Sequence, residues 1–103
     1  MELKNEMDTI LKKRKGQNIN DDFEIEKCWN KMTILLTQNE YETIDYLNEC
    51  NEDELYYISE IFEDISEQFQ SERFITCLRK LDKKFPNVDM TKDIDIAESY
   101  IEN

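Results

Sequence analysis

Leu55, Ile58, Phe62, Ile65 and Phe69 recur at spacings of 3, 4, 3 and 4 residues. At ~100° of rotation per residue they fall within one ~80° sector, an apolar stripe that a helix can bury. The rest of the chain repeats this period. Leu3, Met7, Ile10 and Leu11 form a first stripe, stopped by Gly16. Asn18 to Asp22 read as a loop and cap, and Ile25, Cys28, Trp29, Met32, Leu35 and Leu36 form a second stripe. Tyr41, Ile44 and Leu47 give a short third helix, and the stripe from Leu55 to Phe69 gives a fourth. Phe74, Leu78, Leu81 and Phe85 define a fifth helix, ended by Pro86, because the residue before a proline is pushed out of the α region. Ile94, Ala97, Tyr100 and Ile101 define the last.

Start signals sit where these stripes need them. Thr37 with Glu40, and Asn51 with Glu54, have the form of capping boxes. Ser71 precedes the fifth helix, and Asp89 or Thr91 the last. One Gly and one Pro leave few sites for tight turns, and no alternating segment competes as a strand. The expected fold is all-α: one domain over residues 1–103, a compact bundle of five to six short antiparallel helices. Trp29, Phe62, Phe69, Phe74 and Leu78 are its expected core anchors.

Charge is distributed far less evenly than apolar surface. From Met32 to Ser71 there are eleven carboxylates and no Lys or Arg. The net charge is −12, split as +2 over residues 1–16 and −14 over residues 17–103. Like charges repel in the compact state, so a single-sign field serves recognition of an opposite charge better than it serves folding. Phosphate repels such a chain, which argues against direct nucleic-acid binding. The basic group Lys12, Lys13, Arg14 and Lys15 reads as the last turn of a helix, where cations offset the macrodipole.

Several chemistries lack their residues. There is no His, hence no Ser–His–Asp or Cys–His arrangement, and no glycine-rich phosphate loop. Cys28, Cys50 and Cys77 are odd in number and unpatterned in spacing, and read as small buried hydrophobes. The Asn51–Glu54 cluster lacks the central glycine of an EF-hand loop. The expectation is a protein that is not an enzyme and that uses no cofactor or metal. No run of ~18 apolar residues offers a membrane span. The segment Met1 to Glu6 lacks the pattern of a secretory signal, so a cytoplasmic protein is the expectation.

On a helical wheel, Asp53, Tyr57, Glu60, Asp64 and Glu67 share an ~80° sector opposite the apolar stripe, with Tyr56 and Glu63 beside it. The outer side of the third helix carries Glu42, Asp45, Tyr46 and Glu49. If the third and fourth helices pack antiparallel, these sets merge into one acidic surface with interleaved tyrosines and no cation of its own. Tyrosine supplies rigid contact area at interfaces. These eleven residues are the candidate partner-binding surface.

The run from Glu52 through Ile61-Phe62-Glu63-Asp64-Ile65-Ser66, followed by Phe69-Gln70-Ser71, Phe85-Pro86, Asp93-Ile94, Ala97 and Tyr100, resembles small acidic helical immunity proteins. Such proteins are encoded beside polymorphic bacterial toxins, including those of contact-dependent growth inhibition. The likeness covers about residues 40–101 and carries no catalytic signature. It implies a cognate toxin as partner, a basic nuclease domain in many such systems. The acidic face argues against self-association through that surface, so a monomer or weak dimer is expected of the chain on its own. The alternative is an acidic regulatory or adaptor protein, a nucleic-acid mimic that binds a basic protein.

Overall fold

The apolar stripes become helices. The computed structural model describes residues 2–17 and 21–102. It holds α1 (Glu2–Lys15), α2 (Asp22–Leu36), α3 (Glu40–Asn48), α4 (Glu52–Ile58), α5 (Phe62–Phe69), α6 (Glu72–Lys84) and α7 (Thr91–Ser99). Short 3-10 turns cover Ser59–Ile61 and Pro86–Val88. No strand occurs among the described residues. The turn at Ser59–Ile61 joins α4 to α5 without a loop, so the uninterrupted helical runs among the described residues number six. The all-α bundle expected from the stripes is the fold.

Local chemistry sets most helix starts. The Asn51 side chain accepts from the Glu54 amide while Glu54 accepts from the Asn51 amide, both at 2.9 Å, which completes a capping box on α4. Ser71 caps α6 by accepting from the Phe74 amide. Asp21 caps α2 through the Glu24 amide, and residues 18–20 of the expected loop lie outside the described residues. Two expectations need correction. The cap of α3 is Asn39, whose side chain accepts from the Glu42 amide at 3.0 Å, in place of Thr37. Thr37 instead turns back, donating to the Thr33 carbonyl at 2.6 Å, as the hydroxyl of a helix end often does. No side chain caps α7: Asp89 adopts a left-handed conformation, and Thr91 donates to Asp82 at 2.6 Å.

The core runs through all seven helices. Phe62, Phe74, Leu78, Met7, Met32, Leu36, Leu47, Leu55 and Met90 are fully buried. Phe62 and Phe69 both meet Phe74 edge-on, at centroid distances of 6.5 and 5.7 Å. Trp29 and Phe69, expected among the anchors, are half-buried at its margin. The three cysteines are free and buried, and burial raises the thiols of Cys50 and Cys77 to about 12 and about 11.

The fourth stripe folds as two helices where one was expected. Ser59 donates to the Tyr56 carbonyl at 2.7 Å, and Ile61 leaves the α region at φ −120°. This kink turns Ile61 and Phe62 both inward, and both are fully buried. Beyond it α5 lies against α7. Ser66, fully buried, donates to the Ala97 carbonyl at 2.6 Å, and two small residues let the helices approach closely.

Candidate partner-binding surface

The kink at Ser59–Ile61 divides the acidic run into parts with different surroundings. Upstream, α1 meets it. Arg14 reaches Glu60 through two parallel bonds, Nε to Oε1 at 3.0 Å and Nη2 to Oε2 at 2.7 Å. Trp29 Nε1 donates to the same carboxylate at 2.9 Å. Tyr57 lies under the Arg14 guanidinium at 5.2 Å, a cation–π contact. Lys15 pairs with Asp53. A bidentate, partly buried arginine–carboxylate pair is the strong kind, and Glu60 raises the Arg14 pKa chiefly through that bond. The cations read as a helix-terminal turn thus do a second job, tying α1 and α2 to the start of the acidic run.

One of the eleven expected surface residues is buried and needs correction, and three others are engaged by α1 and α2. Tyr46 is only 3% exposed, with a buried hydroxyl that finds no partner among the described residues. Burial pushes its pKa up. Glu60 and Tyr57 are half-buried and engaged by α1, and Asp53, though exposed, is neutralised by Lys15. Nor do the third helix and the acidic stripe form one antiparallel pair: α3 packs chiefly on α6 and α1, and α4 on α1. Glu42, Asp45 and Glu49 stay exposed on α3, apart from the rest, with no ion pair among the described residues.

Downstream of the kink the acids remain open. Glu63, Asp64 and Glu67 on α5 have no cationic partner among the described residues. Packing of α7 on α5 adds residues that sequence reasoning did not place there: Asp93, Ile96 and Tyr100. A small cleft of about 30 Å³ is lined by Ser59, Glu60, Glu63, Asp93 and Ile96. Burial, then the carboxylates of Glu63, Asp89 and Glu60, raise the Asp93 pKa. Glu63, Glu67 and Asp64 raise that of Tyr100, Glu63 most of all. Around Asp93 the acids thus act against one another, with Lys92 in partial opposition. Ile96 and Tyr100 are 42% and 38% exposed within the cluster, so the surface offers apolar contact beside the charge. Tyr56 remains exposed on α4, edge-on to Tyr57 at 5.1 Å. Asp93, Ile96 and Tyr100 follow one another at spacings of 3 and 4, which is the signal that marks them as one edge of α7 and its C-cap.

No grouping of three or more Cys, Asp or Glu side chains with metal-binding geometry occurs among the described residues. No helix among them is long and apolar enough to cross a membrane. Compared with protein-family models, curated proteins and solved structures, the chain matches none.

Proposed function

We propose that this chain is an immunity protein that binds and neutralises a cognate bacterial toxin, a nuclease with a basic, phosphate-binding active site. The observation that carries the reading is the uncompensated acidic surface on α5 and α7. Glu63, Asp64, Glu67 and Asp93 crowd together there around exposed Ile96 and Tyr100. Close carboxylates with no ion pair among the described residues, and only Lys92 acting on Asp93, cost the free protein electrostatic repulsion, and a basic partner removes that repulsion on binding. The field also steers association, raising the rate constant toward the ~10⁸ M⁻¹s⁻¹ range at low salt. In this role the chain acts in the cytoplasm as a plug over the site where the toxin would hold nucleic acid. The resemblance of residues 40–101 to immunity proteins points the same way.

The test is co-purification with the protein encoded beside it, combined with rescue of cells from that protein's toxicity. A stoichiometric complex with rescue is the expected result, with association slowing as salt rises. Replacing Glu63, Asp64 and Glu67 together by Lys should slow association at low salt by roughly 10- to 100-fold while stability changes little. Absence of both complex and rescue would discard the immunity reading in favour of an acidic adaptor with another basic partner.

A further inference from the structure

The face opposite in character to the acidic surface is the α1–α2 hairpin. Residues 1–36 hold seven acidic and seven basic side chains, so the whole −12 resides in residues 37–103. Along the hairpin runs an open groove of about 420 Å³, lined by Glu6, Thr9 and Ile10 of α1 and Lys31, Ile34 and Leu35 of α2. Ile34 is 62% exposed. Phe23, 63% exposed, sits eleven residues earlier, ~20° away on the helical wheel, so α2 presents both on one outward edge. Lys27 lies over the Phe23 ring at 4.6 Å, which leaves Ile34 as the uncovered apolar side chain of the groove.

We infer that this groove is where a second copy of the chain docks, forming a two-fold symmetric dimer that leaves the acidic surface free. Charge selects the occupant. The acidic run ending at Ser71 repels a second copy, whereas the groove carries one charge of each sign, Glu6 and Lys31, and raises no such barrier. The groove is also self-complementary. Glu6 lines one wall and Lys31 the other, both exposed and neither in an ion pair among the described residues. A two-fold axis through the midpoint between them lays Glu6 of each copy over Lys31 of the other. Ile10, Ile34 and Leu35 line the same groove and supply the apolar surface that an isologous contact buries. The face is small. Two helices ~21 Å long give an area at the low end for specific interfaces, so the dimer should be weak, with a Kd on the order of 10–100 μM.

Sedimentation equilibrium of the full chain over ~5–500 μM tests this directly. The expected result is a reversible monomer–dimer equilibrium. Ile34→Glu and Lys31→Glu should each weaken it by about tenfold or more, and the double reversal Glu6→Lys with Lys31→Glu should restore it to within about threefold of the native value. All three positions are at the surface or on the groove wall, and circular dichroism checks that the helices persist. A chain that stays monomeric over the whole range overturns the inference. So does a dimer that ignores both single variants, because it would use another face. Neither result bears on toxin binding, which is read separately.

Discussion

Glu60 and Glu63 stand three residues apart in one acidic run, and the fold gives them opposite fates. Glu60 sits in a seam, held by both arms of Arg14 and by the Trp29 indole. Glu63 faces Asp93 across a cleft that no cation lines among the described residues, and it acts on Tyr100 as well. A run of like charge in a sequence is therefore not one surface. What decides between seam and surface is what distant segments bring. Arg14 arrives from 46 residues upstream, and Asp93 arrives from the helix that covers α5. Where a cation arrives, the carboxylate becomes structural. Where another acid arrives, the repulsion is retained, and retained repulsion is what a partner of opposite charge can relieve.

The largest effect separating the two regions is expected at the seam. Glu60→Ala leaves the Arg14 guanidinium and the Trp29 N–H without their shared acceptor. Losing one partner of a fully buried pair costs ~3–5 kcal/mol. Both groups here are partly solvated, so a loss of about 2–3 kcal/mol by urea denaturation is expected. A loss under about 0.5 kcal/mol would erase the distinction between seam and surface. Tyr46→Phe should come next, with the opposite sign. It removes a buried hydroxyl that has only the weakly accepting Cys50 thiol beside it and keeps the ring, so a gain of up to about 1 kcal/mol is expected in the same measurement. A loss instead would mean that the hydroxyl is satisfied in solution.

Tyr46 also marks the boundary of what the sequence could tell. The helices were legible because their signal is local: apolar residues at turns of 3 and 4, Asn51 with Glu54 as a box, and Pro86 as a stop. The buried face of α3 was written there too. Thr43, Tyr46, Leu47 and Cys50 follow the i, i+3, i+4, i+7 pattern and are all buried. The competing set Tyr41, Ile44 and Leu47 reads equally apolar, yet Tyr41 is 63% exposed. Periodicity offered two faces, and packing against α6 and α1 chose between them. The kink at Ser59–Ile61 was hidden for a similar reason. A wheel drawn through it assumes the rotation that Ile61 interrupts, so Glu60 and Glu63 were placed on a continuous surface. The candidate surface was half legible: Glu63, Asp64 and Glu67 were found from α5 alone, while Asp93, Ile96 and Tyr100 needed the pairing of α5 with α7.

The smallest expected effect lies on the open surface, and pH gives it a sign. Burial and the carboxylates of Glu63, Asp89 and Glu60 hold the Asp93 pKa above its ordinary 3.8. Between 3.8 and that raised value the folded chain binds the Asp93 proton more readily than the unfolded chain does. This contribution to stability therefore falls as pH rises through the window and stays unfavourable at neutral pH. Asp93→Asn removes the charge, so it should stabilise the protein at pH 7 by at most ~0.5 kcal/mol. The advantage should fade as pH drops through the raised pKa, where Asp93 is itself neutral. The same variant should weaken binding to a basic partner, since it deletes one of the crowded charges that the partner neutralises. Opposite signs for stability and binding would tie the repulsion around Asp93 to recognition. A loss of stability at pH 7 would make Asp93 a structural acid like Glu60, and the open surface would shrink to α5.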